Sequence, residues 1–444
     1  MTPNLWKFTQ ELASLSRIND IDKEKIKCVS IHAITNAALE QFISPKLKDY
    51  GPKNKMSDSD KFDGLETRKH LLVKDEEFIS IKRRQMDMKS PNVEWIIDDI
   101  NISESFFSLK EHAISMANEH KLTYSNHPGE MLALNSILLL EENSIRAQLN
   151  IPSDIRRKVF KQMKDMYPKQ DLPNVVNEFC RRCAKIAREN SRINLEDSIE
   201  DVYDDLKKNS TDKHLLRTCQ KVWGHIVENW RTSFDDPLTI DTYVHHLMHF
   251  ILRPFFPDEL GRTVNWANKM SLASAARKID SDGEGHRPDF MFTIDLNGYT
   301  KFEIVFGLFK SPIKANSQLI NVDLVDLGVL MKDSLDNIYN KGVELEMVVF
   351  GIHSFGYNIR IYAMDLSYDG IYRMFLLGEY ELPRSNISLG LVEFVLYEIV
   401  NLKRLIGEFI EKLPLYRLTN TNNNEKTPTG KIMMIRKTLA TPKK

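Results

Sequence analysis

The chain has 444 residues, 42% hydrophobic and 28% charged, with a formal net charge of −1. That composition suffices for two or three cores at about 100–200 residues per domain, and the near-zero charge excludes a molecule drawn as a whole to nucleic acid or to a membrane surface. No run approaches the roughly 18 apolar residues of a membrane span, and Cys28, Cys180, Cys183 and Cys219 are too few for a disulfide framework.

The N-terminus lacks the apolar stretch of a signal peptide, so the expected location is intracellular, cytoplasm or nucleus. Residues 1–102 read as poorly defined, with helical pieces and a polar loop near 46–75. Residues 103–234 read as α-helical, with helix starts at Ser103, Ser153 and Asn194. Within them Cys180-Arg181-Arg182-Cys183 falls inside a helix. Its neighbours Phe179 and Ile186 argue for core packing over a zinc or redox motif. On the opposite face Arg181, Lys185, Arg188 and Arg192 line up as one basic stripe, a geometry that follows a phosphate backbone. The plainer reading is a solvated face, or pairing with the acidic run Glu196–Asp205.

The pattern changes at Asp235. Asp236-Pro237 predicts the cap of a helix running Leu238–Leu252 and stopped by Pro254. His245 and His249 lie one turn apart on it, a spacing zinc ligands use, without a clear third ligand. A second helix is predicted over Thr263–Ala276. Strands follow at Asp289–Asp295 and Lys301–Lys310, joined through the hairpin signal Leu296-Asn297-Gly298-Tyr299. Next come a helix at Ser317–Tyr339 and strands at Leu345–His353, Asn358–Leu366 and Ile371–Leu382. A closing helix covers Leu389–Leu413. Residues 414–444 read as a disordered basic tail with Lys431, Arg436, Lys437, Lys443 and Lys444. The expected fold class is α/β, a mixed sheet flanked by helices over 235–413, with a mostly α-helical N-terminal half.

The chemistry concentrates in Gly285-His286-Arg287-Pro288-Asp289 and Phe302-Glu303-Ile304-Val305-Phe306-Gly307-Leu308-Phe309-Lys310. With Asp323-Leu324-Val325-Asp326-Leu327-Gly328 and Asp369-Gly370-Ile371-Tyr372, these motifs occur in an order that resembles the PD-(D/E)XK nuclease superfamily over about Asp235–Leu413. The stretch is also similar to uncharacterised fungal proteins of that type. The resemblance implies a restriction-endonuclease-like core that acts on or binds nucleic acid. It implies Asp289 as a carboxylate ligand of Mg²⁺ or Mn²⁺, Lys310 as the catalytic lysine and Arg287 beside the nucleic acid. Such a metal polarises the phosphate and activates water, and the lysine offsets developing charge.

Two residues before the lysine, where the resemblance implies a second acid, stands Leu308. Loss of catalysis is therefore expected, and a non-enzymatic protein-interaction module on the same scaffold is the alternative, with the helical N-terminal half as the part that binds protein. Glu303 is the nearest replacement as metal ligand and catalytic acid. Its separation from Lys310 puts it on the opposite face of a regular strand, unless a β-bulge corrects the parity. Asp241, Asp280, Asp282, Glu284 and Asp295 are the other acids of the region.

Overall fold

The structure, a computed structural model, describes residues 93–142, 149–189, 195–233, 239–267, 269–278, 284–295, 301–343, 345–420, 430–436 and 438. All of them belong to the unit Leu72–Lys444. The loop expected near 46–75, Cys28, Arg192, Asn194, Asp236-Pro237, Asp280, Asp282, the hairpin at 296–299, Lys437, Lys443 and Lys444 lie outside the described residues.

A short hairpin of β1 (Ile96–Ile97) and β2 (Ile100–Asn101) leads into α1 (Ile102–Asn118), where the Asn101 side chain accepts the Glu104 N–H as an N-cap. Helix α2 (Pro128–Leu134) precedes β3 (Ile137–Leu140), four apolar residues that are all buried. Helices α3 (Ser153–Met166), α4 (Asn174–Glu189), α5 (Leu195–Leu206) and α6 (Lys213–Ser233) follow. Ile240–Tyr243, Val244–Met248 and His249–Leu252 run on as one helix, α7, whose middle segment is a π-turn. Then come β4 (Arg262–Trp266), α8 (Leu272–Lys278), β5 (Phe290–Asp295), β6 (Lys301–Lys310) and α9 (Ser317–Asn340). Strands β7 (Val348–Phe355), β8 (Asn358–Tyr368) and β9 (Ile371–Glu381) precede α10 (Val392–Asn420) and α11 (Gly430–Met434).

Seven strands form one mixed sheet in the order β3-β9-β8-β7-β6-β5-β4. The β6–β7 and β3–β9 pairs are parallel, and the others are antiparallel. A parallel pair needs a crossover, and α9 supplies it between β6 and β7. One face of the sheet carries α9: a side chain at Gly351 of β7 would run into Met331 and Leu327, and Gly328 of α9 lies against Met374 of β9. The other face carries α3, α7 and α10, through Tyr167 on Asp365, Tyr243 on Ser354 and Glu398 over Gly378. Strands covered on both sides read as nearly continuous apolar runs, as β6 and β7 do. Among the described residues no helix is long and apolar enough to cross a membrane.

Three expectations are corrected. The stretch Thr263–Ala276 is not one helix but β4 followed by α8, because Thr263, Val264 and Trp266 pair in register with Thr293, Phe292 and Phe290. No structural boundary falls at 235, since β3 from the helical half enters the sheet beside β9, with Ile137 opposite Tyr372. The tail beyond 413 is ordered where described: α10 continues to Asn420, and Arg436 is buried in an ion pair with Asp369 at 2.8 Å.

Candidate active site

The parallel pair β6–β7 ends beside the start of β5, and this end of the sheet holds Asp289, Leu308 and Lys310. Asp289 stands one residue ahead of β5, and its N–H donates to Gly307 O at 2.9 Å. Its carboxylate Oδ2 accepts the Phe309 N–H at 2.8 Å. The side chain is thereby tied to the backbone between Leu308 and Lys310. Lys310, the last residue of β6, places its Nζ 2.9 Å from Asp323 Oδ2 of α9, with the two side chains only 15% and 10% exposed. Burial pushes the Asp323 carboxyl up to about 7; Lys310 opposes that shift, while Asp326 and Asp289 add to it. Asp289 is thus tied to the amide that precedes Lys310, while the Lys310 ammonium pairs with Asp323. Sequence reasoning missed Asp323, although a signal was present: Asp323, Leu327 and Leu330 share one helical stripe, and a carboxylate inside an apolar stripe needs a cation.

Leu308 stands where the resemblance implies an acid. Half-buried on β6, it pairs with His353 of β7 on one side and stands at the level of Asp289 on the other. His353 is fully buried, and among the described residues neither ring nitrogen has a hydrogen-bond partner. Burial, Arg360 and Lys310 together push its pKa down to about 3, so the imidazole is neutral. Arg360, on the next strand, is held by Glu379 at 3.0 Å and lies over the Phe355 ring. The signal for His353 in the sequence was a lone histidine inside the apolar run Val348–Phe355.

Glu303 goes elsewhere. The β5–β6 register shifts from Phe292↔Val305 to Thr293↔Glu303, leaving Ile304 as the extra residue of a β-bulge. The bulge does turn Glu303 to the face of Lys310, reversing the parity of a regular strand. It does not bring the two together, because Glu303 lies roughly 20 Å along the strand from Lys310 and roughly 13 Å from Asp289 at 3.3 Å per residue. Its carboxylate accepts Ser271 Oγ–H at 2.6 Å, Leu272 N–H at 2.7 Å and Ala273 N–H at 3.4 Å. It caps α8 and shares no ligand with Asp289. Of the other acids, Asp241 is exposed on α7, on the opposite face of the sheet, and exposed Glu284 faces Arg287 at 3.3 Å. Asp295 closes the far end of β5, paired with Lys301.

The basic stripe is offset locally. Arg181 binds Glu178 through both nitrogens, Lys185 lies 3.9 Å from Glu189, and Arg188 Nε donates to Ala184 O. Cys180, Cys183 and Cys219 are buried free thiols in the α4–α6 core, all pushed up in pKa by burial, which suits packing and not redox work. His245 and His249 line an open pocket with Glu228, His246 and Phe250.

A divalent ion does not fit the arrangement around Asp289. The residue at the level of Asp289 on β6 is Leu308, Glu303 caps a helix, and the Asp323 carboxylate is held by Lys310. Among the described residues no three His, Cys, Asp or Glu side chains converge to hold a metal. No family model matches the chain, and neither a curated protein nor a solved structure matches it.

Proposed function

We propose that this chain is a nuclease-like protein with a degenerate phosphodiesterase site, which binds nucleic acid without hydrolysing it. One observation carries the reading: Leu308 stands between Asp289 and His353, where the resemblance implies a second acid, while Lys310 turns inward to Asp323. The order α7, β4, α8, β5, β6, α9, β7 supports the reading of a restriction-endonuclease-like core, in which a helix and antiparallel strands, here interrupted by α8, precede a crossover helix and a parallel strand. Asp289, fastened to the amide beside Lys310 at one end of the sheet, supports the reading of a site descended from a nuclease.

The test is the purified chain beside Leu308→Glu and Leu308→Glu/Asp289→Ala, on plasmid and single-stranded DNA and RNA with Mg²⁺ or Mn²⁺. Wild type is expected to leave all substrates intact. Leu308→Glu, with two carboxylates restored near Lys310, is expected to cut, and adding Asp289→Ala to abolish the cutting. Metal-dependent cleavage by wild type that Asp289→Ala removes would sink the degenerate-site reading. Binding is measured by fluorescence anisotropy in EDTA across a salt series, and affinity should fall as salt rises. A second reading, a protein-interaction module on the same scaffold, is favoured by the pairing of Arg181 with Glu178 and of Lys185 with Glu189. Absence of any salt-dependent nucleic-acid binding would select it.

A further inference from the structure

We propose that the cleft between α9 and the β8–β9 turn is a peptide-binding site, and that residues 431–438 lie in it as a ligand, one that a second copy of the chain can supply in place of the first copy's own. The cleft grips the segment as a receptor grips a short peptide, through its backbone and a few side chains. Gly370 N–H donates to Met434 O at 3.1 Å. Lys332 of α9, fully buried, donates to Arg436 O, to Thr438 Oγ1 at 2.8 Å and to Asp336 Oδ2 at 2.8 Å. Two of these three acceptors belong to the segment, and a buried ammonium needs such partners. Met434 is buried in the core, while its neighbour Met433 is exposed. Arg436 pairs with the buried Asp369 at 2.8 Å. Its guanidinium lies against Gly370, where a Cβ would meet Nε at 2.8 Å, so a glycine shapes the floor of the cleft. At the rim Lys431 reaches Glu346 at 3.1 Å and Leu366 O at 3.0 Å. A buried methionine and a buried arginine are side chains that interfaces favour as anchors.

The cleft, and not the segment's own fold, sets this structure. Helix α11 has five residues, far short of the roughly 12–15 that an isolated helix needs, so its turn is imposed from outside. Residues 421–429 read Thr-Asn-Asn-Asn-Glu-Lys-Thr-Pro-Thr, with no side chain suited to a core, and span at most roughly 30 Å when extended. A tether of that length keeps the segment near its own cleft at an effective concentration of the order of millimolar. It equally allows the segment to enter the cleft of a neighbouring copy, where every contact would be the same, as in any exchange of identical elements between protomers.

The test uses full-length chains. In one variant, Met434→Ala/Arg436→Ala, the cleft is intact and the segment weakened; in the other, Asp369→Asn, the segment is intact and the cleft weakened. Fluorescein-labelled peptide 430–444 should bind the first variant at least roughly tenfold more tightly than wild type, whose cleft is filled from its own chain. The same peptide carrying both alanines should not bind. Sedimentation of the two variants in equal amounts should show a species of twice the mass found for either alone. If the first variant is unfolded by circular dichroism, the peptide should restore its far-UV spectrum. Equal peptide binding by wild type and the first variant overturns the proposal, as does binding that survives the alanines. So does a folded first variant that takes no peptide, or an unfolded one that the peptide fails to restore. Peptide binding without the mixed species overturns supply by a second copy.

Discussion

His353 is held at a cost. Each buried ring nitrogen without a partner forfeits its hydration, about 1–3 kcal/mol per group, and neither nitrogen is paired among the described residues. Replacing the ring by a hydrocarbon of similar volume removes that cost, so His353→Leu should raise stability at pH 7 by about 1–3 kcal/mol in urea melts. The same substitution should change the pH dependence. The folded pKa near 3 lies below the unfolded value, so the unfolded chain binds the proton first as pH falls. Wild type therefore loses stability from about pH 6.5 downward, by up to about 1.4 kcal/mol per pH unit, and His353→Leu should lack that component. Asp323 acts in the opposite sense. Its folded pKa near 7 lies above the unfolded value, so its contribution is greatest in acid and shrinks as pH rises toward 7. Comparing wild type and His353→Leu at pH 7 and pH 4.5 isolates the histidine; equal losses in the two proteins would contradict the assignment.

At the scale of elements, the bulge at Ile304 shows how far strand periodicity carries. Period two gives the face of every β6 residue C-terminal to the bulge; the pairing of Asp289 with Lys310 was an implication of the resemblance and not of spacing. Period two misplaced Glu303 because one extra residue inverts parity, and composition gives no sign of where a bulge falls. The helix expected over Thr263–Ala276 failed for a related reason. Thr263, Val264, Asn265 and Trp266 satisfy either periodicity over so short a run, and pairing with β5 decides between them. Glu303 has a use that spacing could not reveal: it closes the first turn of α8 against β6. Glu303→Ala should cost about 1.5–3 kcal/mol, the range for hydrogen bonds to a buried charged group. Nucleic-acid affinity should stay unchanged, since the Asp289 end lies roughly 13 Å away. A large loss of affinity at unaltered stability would show that Glu303 belongs to the site after all.

For the molecule as a whole, local pattern was a sound guide from β5 to β9 and a poor one for what closes the sheet. The basic residues of the tail suggested solvation, yet Arg436 lies against Gly370, where a Cβ would meet its guanidinium, and pairs with the buried Asp369. Lys332 of α9 donates to Arg436 O and, at 2.8 Å, to Thr438 Oγ1. An arginine's partner in the fold is a long-range fact that sequence spacing does not encode. Breaking one side of a buried pair strands the other charge, so Arg436→Ala should destabilise by about 3–5 kcal/mol, and Arg436→Met/Asp369→Asn should recover much of that. Equal melts for wild type and Arg436→Ala would mean that the last segment contributes nothing to the core.

The pairing of β3 with β9 also sets a timetable. Ile137–Leu140 leaves the ribosome with its neighbour on the sheet still untranslated; at about 5–20 residues per second the wait for β9 is roughly 10–50 s. Throughout it, four consecutive apolar residues are an edge without a mate, the kind of segment that recruits other chains. Among the described residues, α2, made before β3 and packed against it in the finished fold, is a neighbour already available to shield it, with α1 packed on α2. Loop closure over so long a stretch is slow as well as late. The yield of correctly folded protein should therefore depend on elongation speed more than the final stability does.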